Sequence, residues 1–100
     1  MKSGLYASEH GVKEAVKRIL RKYGVWYTSP HQAGFSSRGV PDILCCYRGR
    51  FIAIECKHAG RKPTDAQIAQ LAAIERAGGI AFIVDDSTVD SVEAVLGRIE

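Results

Sequence analysis

Residues 42–57 constrain the fold most, because they contain two apolar runs joined by a short turn. Residues 42–47 and 51–57 are rich in aliphatic and aromatic side chains, and Arg48-Gly49 lies between them. Two such runs around a glycine-containing dipeptide predict a β-hairpin. Side chains alternate along a strand, so one face of the second strand should carry Phe51, Ala53, Glu55 and Lys57.

The hairpin predicts two facing carboxylates. Antiparallel pairing about Arg48-Gly49 places Asp42 opposite Glu55. Like charges that face each other destabilise a sheet, whereas two carboxylates at this spacing suit a hard divalent cation. In the alternative interpretation Glu55 and Lys57 form an ion pair, and Asp42 caps a turn after Pro41.

The rest of the chain predicts helices around a small sheet. Helices are expected from Ser8 to Gly24, from Thr64 to about Ala77, and in the tail towards Arg98, where Ser87 to Asp90 has the spacing of a capping box. Short strands are expected at residues 25–28 and 80–84. The order α-β-β-β-α-β-α predicts an α/β fold, a small mixed sheet flanked by helices, as a single domain over residues 1–100.

Helix phase gives a candidate for a third carboxylate. Glu9 falls on the inner face of the first helix with Val12 and Val16, whereas Glu14 falls on the opposite face. Glu9 is equally consistent with a first-turn acid that the helix dipole favours. The outer face is expected to carry a row of basic residues: Lys13, Lys17, Arg18, Arg21 and Lys22.

The charge distribution points to a polyanionic partner. Residues 1–62 contain twelve Lys or Arg against four Asp or Glu, while residues 63–100 contain two against seven. Such segregation is typical of a nucleic-acid-binding surface, although a solvated surface explains it as well. No apolar run approaches the roughly 20 residues of a membrane span, so we expect an intracellular, cytoplasmic protein. Its cysteines are expected to be buried thiols: Cys45, Cys46 and Cys56.

Two short motifs resemble a known family. Gly39-Val40-Pro41-Asp42 followed by Glu55-Cys56-Lys57 resembles the PD-(D/E)xK nuclease signature. The upstream Glu9 and the downstream Gln67 are similar to the VRR-NUC (virus-type replication-repair nuclease) branch. The resemblance implies a Mg²⁺- or Mn²⁺-dependent DNA endonuclease. Stand-alone members imply a viral or phage protein acting in the host cell, active as a homodimer on branched DNA such as four-way (Holliday) junctions in DNA repair.

The resemblance also implies roles for individual residues. Glu9, Asp42, Glu55 and the main-chain carbonyl of Cys56 would bind the metal. Lys57 would orient the attacking water, and Gln67 would position Lys57 or a phosphate. DNA contacts are expected from six residues: His31, Arg38, Arg48, Arg50, Arg61 and Lys62.

Two further expectations concern cleavage and assembly. The alternative to an endonuclease is a DNA-binding, nuclease-like module without cleavage activity, but such a module has no need for converging acids that repel phosphate. Symmetric cutting of a junction needs two sites related by a two-fold axis, which predicts a homodimer. Four aromatic residues are candidates for its interface: Trp26, Tyr27, Phe35 and Phe82.

Overall fold

A computed structural model describes residues 6, 8–30 and 38–100 and contains the predicted element order. The helices are α1 (Glu9–Lys22), α2 (Asp65–Arg76) and α3 (Ser91–Gly97). The strands are β1 (Trp26–Thr28), β2 (Ile43–Tyr47), β3 (Arg50–Cys56) and β4 (Ile80–Val84). The expected α/β fold with a small mixed sheet is confirmed. No helix in the described part of the chain is long and apolar enough to cross a membrane.

The sheet has the strand order β1-β2-β3-β4. The first three strands pair antiparallel, and β3 pairs parallel to β4 because α2 connects these two strands. In the hairpin Ile43 pairs with Ile54, and Tyr47 pairs with Arg50, which is the predicted register. Arg48 and Gly49 both have left-handed φ angles, of 51° and 79°, as a tight hairpin turn of the primed type requires.

The main core lies between one face of the sheet and helices α1 and α3. Val12, Val16 and Leu20 of α1 pack there with Ile52 and Ile54 of β3, and α3 adds further apolar side chains. The other face carries α2, which buries Leu71 against β3 and β4. Glu55 follows Ile54 along β3 and therefore points to the α2 face.

The cysteine prediction is wrong for one of the three residues. Cys45 and Cys56 are buried, but Cys46 is exposed. Adjacent residues of a strand point to opposite faces, so Cys45 and Cys46 cannot both enter the core.

The helix starts follow the sequence signals in two cases of three. Ser8 Oγ accepts a hydrogen bond from the Gly11 N–H (3.1 Å), and Thr64 forms a complete capping box with Gln67. The capping box predicted at Ser87 is wrong. Its hydroxyl donates to Asp85 Oδ1 (2.8 Å) in a local turn, and α3 begins four residues later, at Ser91.

Candidate active site

The segment that precedes β2 rests directly on the start of α2. Gly39 has φ of +78°, and a Cβ atom there would lie 2.4 Å from the carbonyl carbon and oxygen of Ala66. The Arg38 carbonyl oxygen also accepts a hydrogen bond from Gln70 Nε2 (3.2 Å). Glycine is therefore required at position 39 for both conformation and space, and this contact fixes the approach to Asp42.

Pro41 ends the β2–β3 ladder and so makes Asp42 a site residue. Continued register places Pro41 opposite Cys56, but proline has no N–H to donate to the Cys56 carbonyl. The Cys56 N–H donates to the side chain of the next residue, at Asp42 Oδ2 (2.8 Å). The Asp42 carboxylate is thus held at the edge of the sheet by the backbone between Glu55 and Lys57.

Glu55 is an almost fully buried acid with an exposed fraction of 1%. Its Oε2 atom accepts a hydrogen bond from Gln67 Nε2 (2.9 Å) and lies 3.6 Å from Lys57 Nζ. Its Oε1 atom has no hydrogen-bond partner among the described residues. A buried carboxylate oxygen without a donor is costly, and it is rare in folded proteins.

The surroundings of Glu55 favour its protonated form. Burial, followed by the negative charge of Asp42, raises the pKa of the Glu55 carboxyl to about 8. The charge of Glu9 acts in the same direction, while Lys57 opposes the shift. The site therefore has an excess of negative charge, which a bound cation would balance.

Gln67 contacts a different group from the one predicted. Its Nε2 atom donates to Glu55, whereas the sequence suggested Lys57 or a phosphate as its partner. Its Oε1 atom accepts from the Thr64 N–H (2.8 Å), so both ends of the amide are engaged. The capping box at the start of α2 therefore also orients the side chain that supports Glu55.

The two lysines of the site come from different elements. Lys57, with an exposed fraction of 8%, immediately follows β3. Helix phase predicts Lys13 on the outer face of α1, and this prediction is wrong, because its Nζ atom lies 3.8 Å from Asp42 Oδ1. Lys13 follows Glu9 by four residues, so the two share one side of the helix.

Of the two acids of α1, Glu9 belongs to the neighbourhood of the site. Its charge contributes to the raised pKa of Glu55, whereas Glu14 pairs with Lys17 at 3.3 Å. That contact holds the pKa of Glu14 below its ordinary value. Within the described residues, however, no three His, Cys, Asp or Glu side chains lie close enough together to hold a metal ion as they stand.

The centre nevertheless fits a hard divalent cation at Asp42 and Glu55. In the described part of the chain Glu55 Oε1 is buried without a hydrogen-bond partner, and the adjacent Asp42 carboxylate repels it. Such oxygen ligands are those that Mg²⁺ and Mn²⁺ prefer. Pro41 has no N–H to donate to the Cys56 carbonyl oxygen, so this oxygen is also suited to bind the cation.

The predicted DNA-contact residues fall into two groups. Arg38, Arg61 and Lys62 are exposed in the segments next to Asp42 and Lys57. Arg48 and Arg50 are exposed at the hairpin turn, about 17 Å from Asp42 at the rise of five β-strand residues. His31 lies outside the described residues.

Sequence reasoning missed Asp86. This buried acid accepts a hydrogen bond through Oδ1 from the Ala59 N–H (3.0 Å), and Ala59 has the left-handed φ of 54°. Asp86 thereby holds the start of the basic loop after Lys57. Since Asp86 is 27 residues away from Ala59 in sequence, no local motif reveals this contact.

No protein-family model matches this chain, but it is similar to a phage protein and to a solved structure. A protein of Acyrthosiphon pisum secondary endosymbiont phage 1, named "Putative nuclease p44", is 31% identical over 83 residues. These residues cover 80% of this chain and 84% of the phage protein. A solved structure described as a VRR_NUC domain has a TM-score of 0.71 at 23% identity, covering 94% of this chain and all of that one.

The fold and the site together define a nuclease domain of the PD-(D/E)xK type. Of its signature acids, Asp42 immediately precedes β2 and Glu55 lies on the adjoining strand β3, and Lys57 follows two residues after Glu55. Within this class the chain belongs to the VRR-NUC family: its motifs are of that type, the similar phage protein is named a putative nuclease, and the fold is that of a VRR_NUC domain.

Proposed function

We propose that this nuclease is a Mg²⁺- or Mn²⁺-dependent endonuclease that hydrolyses DNA phosphodiesters, selectively in branched DNA such as four-way junctions. The observation that carries the proposal is Glu55, a buried carboxylate beside Asp42 and Lys57 with one oxygen that has no hydrogen-bond partner among the residues described. A binding module has no use for this arrangement, because the acids cost stability and repel phosphate.

The metal would be held by Asp42 and Glu55, with Glu9 and the Cys56 carbonyl as further ligands. When bound, it supplies positive charge to a phosphate oxygen and lowers the pKa of water. The hydrogen bond from the Cys56 N–H fixes Asp42 in advance, and Gln67 does the same for Glu55. Both acids are therefore positioned before any cation arrives.

Lys57 acts directly on the reaction. Its ammonium group lies next to Glu55 on the buried side of the site, where its charge is poorly screened. It orients the attacking water and stabilises the negative charge that develops on the phosphate in the transition state. Its effect should therefore appear in the cleavage rate more than in DNA binding.

Charge and exposed apolar surface support the proposed partners. Arg38, Arg61 and Lys62 are exposed in the segments next to Asp42 and Lys57 and carry positive charge suited to DNA phosphates. Trp26, Cys46 and Phe51 are adjacent across three strands on the α2 face, and Trp26 is 65% exposed. We assign this apolar patch to a homodimer interface.

The other interface candidates do not support that role. Tyr27 and Phe82 pack against the core and are partly buried, so they are structural residues. Phe35 lies outside the described residues.

The proposal is tested with a labelled four-way junction, a flap and a linear duplex of the same sequence content. Each DNA is incubated with Mg²⁺, Mn²⁺ or a chelator. We expect cleavage of the junction in both metals, slower cleavage of the linear duplex, and none with the chelator. DNA binding without cleavage under every condition would instead support a nuclease-like binding module.

A further inference from the structure

Lys13 is a second lysine of the site that neither the motif nor the comparisons assign. Its Nζ atom lies 3.8 Å from Asp42 Oδ1, and its side chain is 28% exposed. Lys13 thus approaches the acids from the helix, while Lys57 approaches them from the sheet.

The position of Asp42 does not depend on Lys13. Asp42 Oδ2 accepts a 2.8 Å hydrogen bond from the Cys56 N–H, which is part of the rigid hairpin. The contact with Lys13 uses the other oxygen, and at 3.8 Å it is too long for a hydrogen bond. Lys13 is therefore free to leave Asp42 without disturbing the carboxylate.

The charge balance of the site indicates a role for Lys13 in attracting the substrate phosphate. Around a bound cation Glu9, Asp42 and Glu55 would all be ionised, and these three acids with the two lysines sum to a charge of −1 before the cation itself is counted. A divalent cation would change this to +1, which matches the single negative charge of a phosphodiester. Without Lys13 the loaded site would be neutral and would have less attraction for the substrate phosphate.

We propose that Lys13 is a catalytic residue that binds a non-bridging oxygen of the scissile phosphate. Resting on Asp42 in the free protein, it transfers its contact to the phosphate when metal and DNA are bound. The long, flexible stem of lysine allows this short movement. Lys13 acts through its positive charge and forms no covalent bond. This inference rests on the proposed nuclease function, and it adds a residue to the substrate site.

The test compares Lys13→Met with Lys17→Met. Lys17 lies one turn further along α1 and pairs with Glu14 at 3.3 Å, so it is a matched control on the same helix. We expect Lys13→Met to lower kcat on the junction about 10- to 100-fold. Lys17→Met should cleave like the wild type, and Lys13→Arg should recover part of the rate, because it keeps the charge.

Metal binding separates this role from a structural one. Calorimetric titration with Mn²⁺, without DNA, should show Lys13→Met binding about 3- to 10-fold more tightly, because a competing positive charge beside Asp42 is gone. Weaker Mn²⁺ binding in parallel with lower activity would show that Lys13 merely supports the ligands, and would overturn the proposal. Full activity of Lys13→Met would overturn it too.

A separate outcome concerns the proposed function itself. If the wild type binds Mn²⁺ but cleaves no DNA, the nuclease assignment fails, and Lys13 is then judged on DNA binding in Ca²⁺. Lys13→Met must still bind DNA more weakly than Lys17→Met does. Equal DNA binding by these two variants would refute the contact with phosphate.

Discussion

Replacing Glu55 with Gln should make the metal-free protein more stable at neutral pH while it removes the activity. Glu55 is almost fully buried beside Asp42, and its pKa is raised from 4.5 to about 8. At neutral pH the Glu55 carboxyl is therefore mostly protonated in the folded protein but ionised in the unfolded chain. This difference lowers the free energy of unfolding. Glutamine keeps an oxygen acceptor for the Gln67 amide but carries no charge.

The sign and size of the stability difference between Glu55→Gln and the wild type follow from the pKa of the Glu55 carboxyl in the folded and unfolded states. Because the folded pKa is the higher one, the stabilising contribution of Glu55 is fully present below pH 4.5 and is lost as pH rises towards 8. At about 1.4 kcal/mol per pKa unit the loss has an upper limit of about 5 kcal/mol. Relaxation of the buried site reduces such costs, so we expect a difference of about 2–3 kcal/mol at pH 8.

Urea unfolding of both proteins between pH 4 and pH 8, without divalent ions, measures this difference. The gap between Glu55→Gln and the wild type should be near zero at pH 4 and should widen up to pH 8. Glu14→Gln serves as the control, because the ion pair with Lys17 holds the pKa of Glu14 below its ordinary value, so this variant should show no such widening. Added Mn²⁺ should stabilise the wild type and narrow the gap. A Glu55→Gln protein no more stable than the wild type at pH 8 would refute the reasoning.

Three further predictions concern the approach to Asp42, the third acid and the assembly. Gly39→Ala should destabilise the fold by about 2 kcal/mol or more in urea unfolding, because its Cβ collides with the α2 backbone; an unchanged midpoint would contradict this contact. Glu9→Gln should weaken Mn²⁺ binding in calorimetry, whereas Glu14→Gln should leave it unchanged, and equal losses would exclude a specific role for Glu9. Trp26→Ser should shift a dimer towards monomer in sedimentation velocity at micromolar concentration; a monomeric wild type with full junction activity would refute the homodimer.

The local parts of the fold could be predicted from the sequence because their signals are local. The hairpin register follows from the Arg48-Gly49 turn, and the start of α2 follows from Thr64 and Gln67. The placement of Asp42 opposite Glu55 then follows from the alternation of the strands. These residues lie within a few positions of the turn or cap that fixes them.

Contacts between distant elements could not be predicted in the same way. Lys13 was assigned to solvent by helix phase, but its long side chain reaches the end of β2 once α1 packs on the sheet. The hydrogen bond of Gln67 with Glu55 depends on how α2 crosses β3. The hydrogen bond between the Ala59 N–H and Asp86 depends on the parallel pairing of β4 with β3. The Ser87 signal was misleading, because Asp85 competes for the same hydroxyl.

The most direct test of the metal-dependent nuclease centre is a comparison of wild type and Lys57→Ala on one labelled four-way junction in Mn²⁺. Both the binding constant and the single-turnover cleavage rate are measured on the same DNA. We expect Lys57→Ala to bind the junction within about two-fold of the wild type and to cleave it about 100- to 1,000-fold more slowly. Cleavage by Lys57→Ala at the rate of the wild type would contradict the assignment of Asp42, Glu55 and Lys57 as the reaction centre.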